Sequence, residues 1–151
     1  MASARLDDGQ SLVALNEIFV GHRSHQSARY RLRLGTREER QSSSGLIVAT
    51  GTGATGWARS INGERAHPLQ LPKPSDWALA LFVREPFPSV ATGISLDGGL
   101  VNRGGQLEIV SEMDDGGVVF GDGIEDDRLD FAWGMKLSIG ISEQRLRLVR
   151  G

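Results

Sequence analysis

Gly51, Gly53 and Gly56 have the spacing G-x-G-x-x-G, inside the stretch ATGTGATGWARS at residues 49–60. Glycines at this spacing allow backbone N–H groups to approach the phosphates of a dinucleotide closely. The motif predicts that chemistry only in a particular setting. A strand must precede the loop, a full helix must follow it, and an acidic residue must end a second strand about 20 residues later.

The flanking residues meet the first condition only. The apolar, β-branched segment 45–50, GLIVAT, predicts a buried strand, but Asn62-Gly63 ends the following helix after about two turns. Asp76 stands at the right distance, yet it follows HPLQLPKPS, whose prolines exclude a central parallel strand. No Lys-Ser/Thr pair follows the last glycine, so a P-loop is excluded as well. The residues alone favour a Gly-rich turn between a strand and a short helix.

No metal site is predicted. His22 and His25 are three residues apart, but the chain has no cysteine and places no carboxylate beside them, so a solvated turn is favoured over a zinc site. The acidic run GDGIEDDRLD, residues 121–130, lacks the residue order of a calcium-binding loop. We expect it to form an exposed hairpin tip.

Several other side chains could contact a ligand. Arg29, Arg31 and Arg33 alternate with apolar residues, so they form either a phosphate-binding stripe or, more commonly, the solvated face of a strand. Trp57 follows the last motif glycine, where its ring could stack on a flat ligand or fill the core. Asn16, next to Glu17, interrupts an apolar run, and its amide could form hydrogen bonds to the edge of a base or to ribose hydroxyls.

The elements around these residues are mostly strands. SLVALNEIFV predicts one strand broken by the polar pair, ARYRLRL predicts a half-buried strand, and GTREERQSSS predicts a loop. Further strands are predicted at WALALFV, QLEIV, GVVFG, RLDFAW, KLSIGIS and QRLRLVR. The expected fold is mainly β, a sandwich or barrel with one short helix after the Gly-rich loop.

Composition limits the class of protein. A length of 151 residues with 39% hydrophobic residues fits one compact domain. The net charge of −2 argues against a nucleic-acid partner. No apolar stretch is long enough to cross a membrane, and no signal peptide is evident, so we expect a cytoplasmic protein.

Two segments taken together resemble the NAD kinase family: ALNEIFVG at residues 14–21 and SSGLIVATGTGATGWARSI at residues 43–61. They are similar to the family's Asn-Glu pair at a strand and to its T-x-T-G-S-T-A-Y-like loop opening a helix. Tryptophan in the tyrosine position, Ser-Ser-Gly before the strand and the later FVREPF are most similar to the mitochondrial-type branch. The resemblance extends over about residues 12–149.

The resemblance implies a single domain over residues 1–151, with the β-sandwich-like fold of the family's C-terminal, NAD-binding domain. It implies NAD as substrate, ATP and Mg²⁺ in the full-length enzyme, and a homo-oligomer. The implied NAD contacts are Asn16, Glu17, Thr52, Gly53, Thr55, Gly56, Trp57 and Ser60.

The sequence departs from the family in two places. Ser44 stands where most members have the aspartate of a Gly-Asp-Gly, which reaches a ligand across a subunit interface. The family's Gly-Gly-Asp-Gly-Thr motif, carried by an N-terminal α/β domain, is missing, and 121–123, Gly-Asp-Gly, does not replace it. We therefore expect the chain alone to bind NAD weakly and to be inactive. There are two alternatives. The chain could be a stand-alone, non-catalytic nucleotide-binding or assembly module, or it could be a relative of lipid or sugar kinases.

Overall fold

The computed structural model describes residues 1–24, 26–147 and 149. Within them the chain forms strands and one α-helix, α1 (Trp57–Gly63), which follows a 3-10 turn at Gly53–Thr55. The strands are β1 (Ala2–Leu6), β2 (Ser11–Ala14), β3 (Glu17–His22), β4 (Ala28–Leu34), β5 (Arg37–Ser43), β6 (Gly45–Thr50), β7 (Ala78–Arg84), β8 (Gly98–Asn102), β9 (Leu107–Ser111), β10 (Gly117–Gly121), β11 (Leu129–Asp130) and β12 (Lys136–Ile141).

The strands form two six-stranded antiparallel sheets. One sheet has the order β2-β1-β12-β9-β4-β5, and the other has the order β11-β10-β3-β6-β7-β8. Buried aliphatic and aromatic side chains from both sheets form one core, which includes Tyr30, Leu46, Leu81 and Ile139. The prediction of a mainly β, sandwich-like fold with one short helix is therefore confirmed.

The polar pair in SLVALNEIFV marks a change of sheet. The predicted single strand is wrong: β2 ends at Ala14 in the first sheet, and β3 begins at Glu17 in the second. Leu15 and Asn16 carry the chain between the sheets. Backbone groups at such a crossing have no ladder partners, so they need polar partners from elsewhere in the chain.

Strand β6 is buried on both faces, which explains its uninterrupted apolar sequence. One face lies in the core between the sheets. On the other face, Ala49 of β6 and Ala58 of α1 form a second apolar cluster with Ala80 and Phe82 of β7. The helix is thus held directly against the sheet at the end of the Gly-rich loop.

Strand β4 has the predicted alternation, with Tyr30 and Leu32 buried and the arginines between them exposed. The loop predicted at GTREERQSSS is wrong, because β5 pairs with β4 along its whole length. β5 is an edge strand with one solvated face, so a polar composition does not prevent it from forming. Strands β1 and β8 were not predicted. The strand predicted at QRLRLVR is absent over 144–147, and Leu148 and Arg150 lie outside the described residues.

Candidate functional site

The crossing from β2 to β3 is held by a distant carboxylate. Asp122 Oδ2 accepts a hydrogen bond from the backbone N–H of Leu15 at 2.9 Å, and Oδ1 accepts from Asn16 at 2.6 Å and from Glu17 at 3.4 Å. These bonds satisfy backbone donors at the change of sheet. The Asn16 side chain is half-buried and makes no hydrogen bond to any described residue.

The Gly-rich loop lies against this crossing. The Thr50 backbone N–H donates to the Asn16 carbonyl at 2.8 Å, and the Thr50 hydroxyl donates to the Leu15 carbonyl at 2.6 Å while accepting from the Gly53 N–H at 3.1 Å. Any Cβ at Gly53 would overlap the Asn16 carbonyl. Glycine at this position thus allows two backbone segments to touch.

A cleft of about 690 Å³ lies beside the start of α1, and Trp57 forms part of its wall. The Trp57 side chain is 42% exposed. Its ring is nearly parallel to that of Phe19, with centroids 6.3 Å apart, and Phe19 in turn contacts Phe120 at 4.9 Å. The ring therefore does not fill the core, and one aromatic neighbour, Phe19, stacks with it.

Basic side chains surround the same cleft. The Arg84 guanidinium lies 4.7 Å from the Trp57 ring centroid, and His22, Arg23 and Arg128 also line the wall. The acidic residues of the cleft are Glu85, which accepts a hydrogen bond from the Ser44 hydroxyl at 2.7 Å, and Glu125. An aromatic face beside several cations suits a ligand that carries a flat ring and anionic groups.

A second cleft, of about 460 Å³, lies at the earlier part of the Gly-rich loop. Its lining includes Thr50, Gly51 and Thr52, together with Trp77 and Arg145. Arg145 lies 3.7 Å from the centroid of the Trp77 ring. The Gly-rich loop therefore lines the second cleft through Gly51 and Thr52, whereas the first cleft is lined by Trp57, the first residue of α1.

The carboxyl group of Glu17 titrates abnormally. Burial raises its pKa above the ordinary value, and the negative charge of Asp122 raises it further. A proton on Glu17 would turn an acceptor into a donor at the start of β3, next to Asn16.

Within residues 1–24, 26–147 and 149, no three His, Asp or Glu side chains are grouped closely enough to hold a metal ion. The predicted solvated turn at His22 and His25 falls partly outside the described residues, because His25 is not among them. His22 lines the first cleft. In the described chain, no helix has the length and apolar character to span a membrane.

Comparison with protein families and with curated proteins gives no match. Solved structures do match. An NAD kinase from Archaeoglobus fulgidus in complex with ATP is 26% identical, with a TM-score of 0.67, over 95% of this chain and 51% of that one. Yeast NADH kinase complexed with NADH is 18% identical, with a TM-score of 0.70, over 93% of this chain and 39% of that one.

The chain has an NAD kinase-like fold. It spans about half the length of the first of these proteins and less of the second.

The NAD kinase-like fold brings together the two segments on which the sequence resemblance rests. The turn at Asn16 and Glu17 contacts the loop at Thr50 and Gly53. The side chains of Thr52, Thr55 and Ser60 are exposed, as is Gly56. Of the eight predicted contacts, Trp57 lines the first cleft and Thr52 the second. The other six line neither: Asn16, Glu17, Gly53, Thr55, Gly56 and Ser60.

Sequence reasoning missed three residues of this region. Asp122 was expected in an exposed hairpin tip; the turn is exposed over 123–128, but Asp122 itself is half-buried and binds the β2–β3 crossing. Phe19 was assigned to an apolar strand and Arg84 to the segment after one, and neither was given a role at the site. An aspartate between two glycines after an apolar strand, as at residues 121–123, was the available signal for Asp122.

Proposed function

We propose that this chain is the NAD-binding domain of an NAD kinase-like protein of the mitochondrial type. Joined to a domain that carries Gly-Gly-Asp-Gly-Thr, it would hold NAD while the terminal phosphate of ATP is transferred to the ribose 2′-hydroxyl. The observation that carries the proposal is the exposed Trp57 ring, which follows the Gly-rich loop and faces a cleft rich in arginine.

The first cleft suits two parts of a dinucleotide, a base and the diphosphate, and residues outside its lining would contact the rest. One heterocyclic ring of NAD would stack on Trp57, because a flat aromatic side chain offers a face to any base. The diphosphate would lie near the guanidinium groups of Arg84 and Arg128. Asn16 and Glu17 would bind adenosine hydroxyl or base groups. Further proposed contacts come from the loop and helix residues Thr52, Gly53, Thr55, Gly56 and Ser60.

The contribution of this chain to phosphoryl transfer would be positioning. Transfer depends on alignment of the acceptor hydroxyl and on neutralisation of the phosphate charge. Mg²⁺ would accompany ATP in the full-length enzyme. We also propose that residues 1–151 form a single domain, that the protein is cytoplasmic and that it assembles as a homo-oligomer, and we expect the chain alone to be inactive.

Calorimetry with NAD tests the proposal on the purified chain. We expect the wild type to bind NAD with a millimolar dissociation constant and Trp57→Ala to bind about 5- to 160-fold more weakly, the range for one stacked base. Trp133→Ala is the matched control, because Trp133 is also exposed and lies outside the cleft lining. Equal affinity in Trp57→Ala and the wild type, or no heat with the wild type at millimolar NAD, would refute the proposed site.

A further inference from the structure

The exposed face of strands β4 and β5 carries an excess of positive charge at one end. In the register of the pair, Arg29 lies opposite Ser42, Arg31 opposite Arg40, and Arg33 opposite Glu38. Arg33 also forms an ion pair with Glu108 of the neighbouring β9. The charge of Arg33 is therefore compensated, whereas two arginines face each other at the next position, an arrangement that is unfavourable without an anion nearby.

Glu112 supplies part of that compensation. Its carboxylate is only 8% exposed, and its two oxygens accept from Arg31 Nε at 2.9 Å and from Arg40 Nε at 2.6 Å. One carboxylate thus serves two guanidinium groups, and each uses only its Nε. The terminal nitrogens of Arg40 and the whole guanidinium of Arg29 have no hydrogen-bond partner in the described part of the chain.

A cleft of about 290 Å³ lies between this arginine cluster and the loop that follows β7. The loop is fixed to β5 by backbone bonds, from Phe87 N–H to the Ser42 carbonyl at 2.7 Å and from Gly93 N–H to the Arg40 carbonyl at 3.0 Å. Its hydroxyl groups also line the cleft. The lining residues with polar side chains are Arg29, Arg40, Gln41, Ser42, Ser89, Thr92 and Glu112, and Phe87, which is 67% exposed, adds an apolar wall.

We propose that this cleft binds the phosphate group of a small phosphorylated molecule. Guanidinium groups bind phosphate through paired N–H donors, and the Ser42 hydroxyl, which has no hydrogen-bond partner in the described part of the chain, adds a further donor. The Ser89 and Thr92 hydroxyls already donate within the loop, to Thr92 Oγ1 and to the Phe87 carbonyl. A doubly charged phosphate monoester offsets the positive excess that Glu112 leaves, and the Phe87 ring contacts the organic part of the ligand. The site shares no lining residue with the Trp57 cleft, so this proposal does not depend on NAD binding.

The test maps amide chemical shifts of the purified chain by NMR while inorganic phosphate or phenyl phosphate is added. We expect saturable shifts at Ser42, Ser89 and Thr92, with tighter binding of phenyl phosphate. Arg29→Gln should weaken binding by about 5- to 10-fold, as expected for the loss of one charge-assisted contact at an exposed site. Arg33→Gln is the matched control, on the same strand and face, and should change the affinity less than 2-fold.

Two outcomes would overturn the inference. One is that phosphate shifts only the amide signals of residues in the Trp57 cleft. The other is that Arg29→Gln and Arg33→Gln lose affinity for phosphate equally. Vesicles with and without phosphatidic acid distinguish a free ligand from a lipid headgroup. Binding to the phosphatidic acid vesicles without any shift from phenyl phosphate would also contradict a small-molecule site.

Discussion

The carboxylate of Asp122 accepts a hydrogen bond from the backbone N–H of Asn16 at 2.6 Å, although the two residues are 106 positions apart in the chain. With the bonds to Leu15 and Glu17, it fixes the point where the chain passes from one sheet to the other. Asn16 in turn accepts from Thr50 of the Gly-rich loop. One carboxylate therefore fixes the turn on which this loop rests.

Replacing Asp122 with asparagine should destabilise the protein. An asparagine side chain has one neutral oxygen where the aspartate has two charged ones, so it cannot accept from all three backbone N–H groups. We therefore expect the free energy of unfolding to fall by about 1–3 kcal/mol. Urea unfolding followed by tryptophan fluorescence measures the change. Asp126→Asn, in the exposed turn at Glu125–Asp127, should leave the stability unchanged. If both variants unfold at the wild-type urea concentration, Asp122 does not support the crossing.

Gly53→Ala tests the contact between the loop and the crossing. The added methyl group would overlap the Asn16 carbonyl, so the backbone must move, at a cost of about 1–3 kcal/mol. Gly63→Ala is the control, since a Cβ there meets open space at the end of α1. Thermal unfolding should separate the two variants. A wild-type melting temperature for Gly53→Ala would show that the loop tolerates a side chain at this position.

Glu17→Gln should raise stability at neutral pH. Because the pKa of Glu17 is raised in the folded protein, its charged form disfavours folding at pH 7. This unfavourable contribution disappears as the pH falls through the raised pKa to the ordinary value of 4.5. The urea midpoint of the variant should therefore exceed that of the wild type at pH 7, and the two should converge below pH 4.5. A gap independent of pH would contradict the assignment.

Tyr30, the only tyrosine, should report alkaline unfolding. Burial raises its pKa well above the ordinary value of 10.0; the charge of Glu39 adds to this effect, and the hydrogen bond with Ser43 opposes it. Stability should therefore fall as the pH rises above 10, because the unfolded chain releases the proton more readily. Absorbance at the tyrosinate band, compared with Tyr30→Phe, measures this. Ionisation near pH 10 without unfolding would show that the hydroxyl is accessible.

Short-range sequence patterns correctly predicted several secondary-structure elements of this protein. The alternation of ARYRLRL predicted strand β4 and its solvated arginine face, because a strand places successive side chains on opposite faces. The apolar run of GLIVAT predicted a buried strand, and Asn62-Gly63 predicted the end of the helix. These features depend only on neighbouring residues, which the sequence displays directly.

Long-range pairing was decided by the tertiary structure alone. β5 has a polar sequence and forms a strand because β4 offers it a hydrogen-bonding edge. The interruption at Asn16 proved to be a change of sheet, and the backbone N–H of Asn16 donates to the carboxylate of Asp122, 106 residues later. The sequence by itself determined the strand-rich composition, the Gly-rich loop and the position of Trp57 after it. Only the folded chain placed that loop against Asn16 and left the Trp57 ring facing a cleft. These contacts join residues that are far apart in the sequence, so no local sequence pattern predicts them.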